Sequence, residues 1–231
     1  MRNIIFIFVS MMSLLGAELP CDTRQLIVVT TRGWNDNSGV LQRYEKDARG
    51  WHKVGETLRV RLGRNGLGWG IGLHTVPRDA RYVKREGDGR SPAGVFELKQ
   101  AFGYAPLSGV RYPYRVYKES DHCVDDVRSR YYNRIVDSTR ITPDYRSFEH
   151  MKFPKNYYKY GIVVNHNHID EKGAVPGAGS CIFLHIKTVP TAGCTVMKEE
   201  EIVPVMRWLD AAKHPLLVQA PEKEVKRLLP F

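Results

Sequence analysis

The chain has 231 residues, 42% of them hydrophobic, and carries 35 Lys and Arg against 25 Asp and Glu, a formal net charge of +10. This length fits one large domain better than two, and no internal repeat, low-complexity tract or Gly/Ser linker interrupts it. The basic residues are scattered rather than gathered into one run, so most are expected on a solvated surface and a nucleic-acid partner is not expected.

The first 17 residues have the pattern of a secretory signal peptide. Arg2 gives a positive start, the apolar run "IIFIFVSMMSLLGA" follows, and the run ends in the small residues Gly16 and Ala17. This run is shorter than the roughly 20 residues of a membrane-spanning helix. We therefore predict cleavage before Glu18, a single domain over residues 18–231, and export to the periplasm or cell envelope, without membrane attachment after cleavage.

Short β-favouring segments recur between turn signals, and they predict a mainly β sandwich or barrel with a few short helices. The stretch from about Tyr112 to Lys159 is different, because it is rich in Tyr, Asp, Arg and Asn. We predict that it forms a long, loop-rich insertion that walls a binding cleft. The seven segments are "QLIVVTT", "GVLQRYE", "LRVRLG", "GVFEL", "YGIVVNH", "SCIFLHI" and "PLLVQA".

Four cysteines, Cys21, Cys123, Cys181 and Cys194, would enter an oxidising compartment after export. No CxxC pair occurs, so zinc clusters and thioredoxin-type chemistry have no support. Spacing does not assign the disulfides. If Cys194 is a free thiol, at least one of the other three must be buried, reactive or bonded to a partner.

The stretch "HIKTVPTAGC" places His185 nine positions before Cys194. In a strand "GSCIFLHI", side chains alternate, so Cys181, Phe183 and His185 share one face while the aliphatic residues between them face the core. His185 is then expected at the end of the strand, on the face opposite the core. A loop would bring Cys194 back toward it, with Gly193 allowing a sharp turn before the thiol.

A helix is predicted in "TVMKEEEIVPVMRWLD", directly behind the thiol. Glu199, Glu200 and Glu201 favour its start and Arg207 its end, while Pro204 must lie near the first turn or kink the helix. Its first N–H groups are expected to lower the pKa of Cys194, and the backbone N–H groups of Gly193 and Cys194 are expected to bind an oxyanion.

Several motifs together resemble the YkuD-type L,D-transpeptidase family over roughly residues 25–221. They are "EGDGRSPAGVFEL", "YGIVVNHN", and "GSCIFLHI" followed by "PTAGCTVM". The resemblance implies a peptidoglycan enzyme that cuts the bond between the diamino acid at stem position three and a terminal D-Ala. The acyl group would form a thioester on cysteine, with release of D-Ala, and pass to an amine of a second stem.

Residue by residue, the resemblance makes Cys194 the nucleophile, His185 its general base, and Gly193 part of the oxyanion hole. The main-chain carbonyl of Ile186 would hold the imidazole tautomer. Two features depart from the family pattern: Ala192 stands where the family has a histidine, and the interval from His185 to Cys194 is short. No cofactor or metal is implied; peptidoglycan stem peptides are the expected partners of a monomer.

Four further residues are candidates for substrate binding: Asn165, His166, Thr191 and Glu149. Glu149 is a candidate because its carboxylate could face the cationic end of a diamino acid. The motif "NHNH", with His166 and His168, also allows a metal hydrolase as an alternative, although no carboxylate stands at ligand spacing. The sequence is also compatible with hydrolysis of the same bond by an L,D-carboxypeptidase or endopeptidase, and with a non-catalytic protein that binds the cell wall.

Overall fold

The computed structural model describes residues 19–152 and 155–229. The predicted signal peptide, residues 1–17, lies outside this range. Each of the seven β-favouring segments contains a strand, as predicted. The elements are β1 (Gln25–Thr31), β2 (Ser38–Asp47), β3 (Gly50–Arg61), β4 (Leu67–Trp69), β5 (Ser91–Gly103), β6 (Tyr114–Val116), β7 (Asp121–Val124), β8 (Ile135–Asp137), β9 (Phe148–His150), β10 (Tyr160–Val164), β11 (Phe183–Ile186), β12 (Thr195–Met197), α1 (Glu199–Trp208), β13 (Leu216–Pro221) and α2 (Glu222–Leu228).

Eight of the strands close into a barrel. Around the barrel their order is β10, β11, β12, β3, β2, β1, β13 and β5, and β5 pairs back onto β10. Most neighbours are antiparallel, whereas the pairs β1–β13 and β11–β12 are parallel. The prediction of a mainly β fold is therefore confirmed, with closure into a barrel.

Strands β10, β11 and β12 are buried on both faces, and alternate side chains enter two different apolar clusters. Ile162, Leu184 and Met197 belong to the larger cluster, which is the main core. Phe183 and Val196 belong to a second cluster on the opposite face. We call this opposite face, which carries Phe183, His185 and Val196, the outer face of the sheet.

The insertion predicted between the strands covers part of the outer face. It contains a separate three-stranded sheet in the order β8, β7, β9. Tyr117, Ile135, Met151 and Tyr158 from this region pack with Phe183 in the second cluster. A disulfide between Cys123 and Cys181 joins β7 to the segment that leads into β11, which leaves Cys21 and Cys194 as free cysteines within the described residues.

The helix behind the thiol begins at the three glutamates, as predicted, and a short strand separates it from Cys194. The strand β12 directly follows Cys194, and α1 starts only at Glu199, where the side chain of Glu201 accepts a hydrogen bond from the Lys198 N–H at 2.9 Å. Pro204 is the sixth residue of the helix, which continues to Trp208. The expectation that the helix N-terminus points at the thiol is therefore wrong, because β12 pairs with β11 in the sheet before the chain turns into the helix.

Candidate active site

Backbone and hydroxyl hydrogen bonds fix the turn that carries Cys194. The Thr191 N–H donates to the carbonyl of Leu62, and the Thr191 carbonyl accepts from the N–H of Arg64. The Thr191 hydroxyl donates to the Cys194 carbonyl at 2.6 Å and accepts from the Gly193 N–H at 3.1 Å. Thr191 is 6% exposed. Its side chain ties together the residues on either side of the turn, and substrate binding by Thr191 stays a prediction.

Gly193 is closely packed, and its backbone angle is ordinary. Its φ lies outside the left-handed region, but a Cβ at this position would lie 3.1 Å from Ile182 Cδ1 and 3.3 Å from the Arg90 carbonyl oxygen. Its N–H is occupied by the Thr191 hydroxyl. In this arrangement the Gly193 N–H is not the unpaired oxyanion donor that the sequence suggested.

The Cys194 thiol is buried against the backbone of its neighbours. Its sulfur accepts a hydrogen bond from the Phe183 N–H at 3.3 Å, and its S–H donates to the Cys181 carbonyl at 3.5 Å. Burial raises the pKa of Cys194 to about 12; the hydrogen bond from Phe183 and the charges of Lys84 and Lys187 oppose this rise, while Glu149 adds to it. The thiol is thus protonated at neutral pH, contrary to the expected lowering, and needs a base.

His185 is held in one tautomer by backbone carbonyls. Its Nδ1 lies 3.2 Å from the carbonyl oxygen of Ile186 and 3.2 Å from that of Tyr157. Because carbonyl oxygens only accept, Nδ1 carries the proton and Nε2 presents a lone pair. Burial lowers the pKa of His185 to about 4, so the ring is neutral at pH 7. The Ile186 carbonyl lies where the resemblance placed it, and the Tyr157 carbonyl is an addition.

The thiol and the imidazole lie on the same face of neighbouring strands. His185 is opposite Val196 in the pairing of β11 with β12, and Cys194 lies two residues before Val196 on the same side. Within the described chain, both hydrogen bonds of the Cys194 sulfur go to the backbone. Proton transfer therefore requires the thiol to exchange a backbone partner for His185 Nε2, and such contacts commonly tighten only when substrate binds.

Glu149 faces this site from the insertion. Burial is the main cause that raises its pKa, followed by the nearby carboxylate of Asp125. Its Oε2 accepts a hydrogen bond from the Tyr158 hydroxyl at 3.4 Å, and the Tyr158 ring lies edge-on to the His185 ring, with 4.8 Å between centroids. Glu149 is thus brought to the thiol and imidazole, as its candidacy for substrate binding requires.

Asn165 and His166 lie in a different environment. His166 is 1% exposed; its Nδ1 accepts from the Ile71 N–H at 3.3 Å and its Nε2 donates to the Ala178 carbonyl at 3.0 Å. Burial lowers its pKa to about 3. The Asn165 amide donates to Glu97 at 2.9 Å, at the opposite end of β10 from the residue that pairs with His185. Both ring nitrogens of His166 thus have backbone partners, and neither Asn165 nor His166 is brought to Cys194; their contact with substrate stays a prediction.

His166 and His168 do not form a metal pair. They lie in a turn after β10 rather than in a strand, with positive φ at Asn167 and His168, and His168 lies 3.7 Å from Glu171. In the described ranges, no group of three or more His, Cys, Asp or Glu side chains is arranged to hold a metal ion. No helix in the described part of the chain is long and apolar enough to cross a membrane.

Two buried polar residues of the site region were missed in the sequence. Lys84 has a side chain that is 3% exposed, and its Nζ lies 2.7 Å from Asp88 Oδ1. The Asn133 amide accepts from the Cys181 N–H at 3.0 Å and donates to the His166 and Asn167 carbonyls. Lys84 stands two residues before the motif "EGDGRSPAGVFEL", and this position could have indicated that Lys84 lies near the site. No local pattern distinguishes Asn133 from its polar neighbours.

Comparisons with known proteins do not identify a family. No protein-family model matches the chain, and no curated protein matches it. The solved structure of Bdellovibrio bacteriovorus Bd1075 is similar with a TM-score of 0.40 and 14% sequence identity. The match covers 93% of this chain and 56% of the Bd1075 chain, so this chain spans little more than half of that protein.

Proposed function

We propose that the protein is an exported cysteine acyltransferase that remodels peptidoglycan by L,D-transpeptidation of tetrapeptide stems. Export is supported by the sequence of residues 1–17, and the substrate class is supported by the motif resemblance to YkuD-type L,D-transpeptidases. The observation that carries the proposal is the state of His185. Two carbonyl oxygens hold the proton on Nδ1, so that a neutral ring offers Nε2 as a base on the same face as a buried cysteine thiol.

In this proposal His185 Nε2 takes the proton of Cys194 while the sulfur attacks the carbonyl carbon of the diamino acid. The C–N bond to D-Ala then breaks, and the imidazolium returns the proton to the leaving amine. The acyl group remains on Cys194 as a thioester. An amine of a second stem attacks the thioester, and His185 accepts the proton of that amine before passing it back to the thiol.

Glu149 is the proposed contact for the cationic amine of the diamino acid. Its carboxylate lies near enough to the thiol to raise the pKa of Cys194, and the residue is half-buried. A bound ammonium would stabilise its charged form, because opposite charges in a poorly solvated site attract strongly. Binding of the diamino acid would also reduce the opposition of Glu149 to thiolate formation, so that substrate binding and activation of the thiol would support each other.

Intact-mass measurement tests the proposal. The protein is mixed with purified disaccharide tetrapeptide, and the expected result is an acyl adduct on Cys194 with release of D-Ala. A carbapenem, which members of this family accept as an acyl-donor mimic, is expected to add to the same residue. Equal labelling of the Cys194→Ala variant would overturn the assignment. A dimeric product supports transfer to an amine, whereas a tripeptide with free D-Ala indicates hydrolysis by the same thiol.

A further inference from the structure

The outer face of the sheet is covered on one side of the site and open on the other. Side chains of paired residues lie on the same side of a sheet. The register therefore places His185, Val196 and Arg61 in one row, because Val196 pairs with both of the others. Arg61 lies two strands from His185, about 10 Å away at the usual spacing between strands. Where the insertion ends, the face continues as the exposed surface of β3 and β2.

A groove with a volume of about 900 Å³ occupies this open part of the face. Val196, which lies in the same row as His185, forms part of its lining. Arg59 pairs with Val40, and Val40 pairs with Thr30, so these three residues form a second row of the lining. The groove thus begins beside the candidate active site and runs outward across β3, β2 and β1.

The groove is strongly basic. Five cationic side chains line it, against the two carboxylates Glu201 and Glu222. Two of the five cations have partners of their own, because Arg32 lies 4.0 Å from Asp36 and Lys198 lies 3.5 Å from Glu200. Both carboxylates already have partners within or next to their own helices: Glu201 accepts from the Lys198 N–H at 2.9 Å, and Glu222 lies 2.8 Å from Lys226. The cationic residues are Arg32, Arg59, Arg61, Lys187 and Lys198.

The two arginines on β3 are available to a ligand. Arg59 and Arg61 are exposed and form no ion pair with any residue in the described ranges. Lys187 connects the groove to the site, because it follows His185 by two residues and its charge affects the pKa of both Cys194 and His185. Guanidinium groups bind carboxylates with two parallel hydrogen bonds, which single ammonium groups do not.

We infer that this groove binds a peptide segment bearing free carboxylates and lays it alongside His185, with Arg59 and Arg61 as the residues that select the charge. The identification of that peptide as a peptidoglycan stem rests on the proposed function. The hydroxyl-bearing residues of the groove, including Thr30 and Ser38, supply neutral polar contacts between the cations. Carboxylate selection would then be separate from the chemistry at Cys194.

Binding is measured by calorimetry in a Cys194→Ala background, so that no acyl transfer occurs. The probes are a synthetic stem tetrapeptide with free carboxylates and the same peptide with its carboxylates amidated. In the variant Arg59→Gln/Arg61→Gln, we expect the free-carboxylate peptide to bind roughly 3- to 10-fold more weakly, since two exposed charge contacts are lost. The salt dependence of binding should decrease as well.

The matched control is Lys46→Gln/Lys53→Gln, which removes the same charge from exposed positions at the other end of the β2–β3 hairpin. It should bind like the parent. Equal loss in the control, equal loss with the amidated peptide, or no binding of either peptide would each overturn the inference. If only the arginine variant binds the peptide more weakly, while wild-type protein forms no adduct on Cys194, the inference about the groove is supported and the proposed function is contradicted.

Discussion

Two buried histidines lie at opposite ends of the β10–β11 pair, and they differ in how their ring nitrogens are used. At the end of β11, backbone carbonyls hold only Nδ1 of His185. In the turn after β10, the backbone occupies both nitrogens of His166. Burial lowers the pKa of both rings. Burial and a lowered pKa are therefore common to the two histidines. Within the described residues they differ in Nε2, which holds a carbonyl in His166 and is left by the backbone as a lone pair in His185.

The largest expected effect tests this difference through the rate of adduct formation at neutral pH. His185→Ala should slow acylation of Cys194 by roughly a hundredfold to ten-thousandfold, because it removes the general base. His166→Gln and the exposed His168→Gln should retain most of the rate when the folded fraction is the same. The measurement is intact mass against time, with and without a chelator. Equal losses of rate in all three variants, or a loss of the wild-type rate when the chelator is added, would contradict the role of His185 as the base.

The second prediction uses the pH dependence of stability. The pKa of His166 is about 3 in the folded chain, against an ordinary value of 6.5, so the unfolded chain binds more protons between these values. The neutral His166 ring therefore contributes to the free energy of unfolding above pH 6.5, and this contribution is lost as pH falls toward 3. The expected loss is about 3–5 kcal/mol. Urea unfolding over this range should show a shallower pH slope for His166→Gln, and a wild-type slope for His168→Gln. An unchanged slope for His166→Gln would contradict the assignment.

The third prediction concerns the link between the two regions. The Cys123–Cys181 disulfide closes a separation of 58 residues, and Cys181 lies between the His166 turn and β11. Cys123→Ala/Cys181→Ala should lower the free energy of unfolding by about 2–4 kcal/mol. It should also slow adduct formation, since the Cys181 carbonyl accepts from the Cys194 thiol. Cys21→Ala, which removes an exposed free thiol, is the control and should change neither quantity.

The smallest expected effect is at the turn before Cys194. Thr191→Val keeps the shape of the side chain but leaves the Gly193 N–H and the Cys194 carbonyl without the hydroxyl. We expect a loss of about 1–3 kcal/mol in unfolding free energy. Thr191→Ser, which retains a hydroxyl, should recover most of this loss. If both variants unfold at the same urea concentration, the hydroxyl does not hold the turn.

The sequence predicted the strands well because their signals are local. Continuous apolar runs such as "QLIVVTT" and "YGIVVNH" indicate strands that are buried on both faces. The alternation between Phe183 and His185 placed the histidine on the face opposite the main core. Cys181 also lies in the same cluster as Phe183, as predicted, although its φ of 55° places it before the start of β11. The helix begins at the three glutamates as predicted, but its distance from the thiol was not foreseen, since nothing in "TVMK" distinguishes a short strand paired with β11 from a first helical turn.

The site residues were harder to predict because their environment comes from distant segments. The thiol pKa depends on burial beneath the insertion and on Lys84, which is far away in sequence. Similarly, His166 looked like a ligand because only the fold shows the Ile71 and Ala178 groups that occupy its ring. Glu149 was a candidate from its charge alone, and folding of the insertion brings it to Cys194.

The rate of Cys194 adduct formation against pH, for wild-type protein and His185→Ala, tests the central claim most directly. A neutral imidazole with a pKa of about 4 should keep the wild-type rate level from pH 7 to about 5 and lower it near pH 4, in samples shown to be folded. Without His185, the rate should rise about tenfold per pH unit between 7 and 9, because the thiolate fraction does so below the Cys194 pKa of about 12. Identical profiles for the two proteins would contradict the claim that His185 activates Cys194.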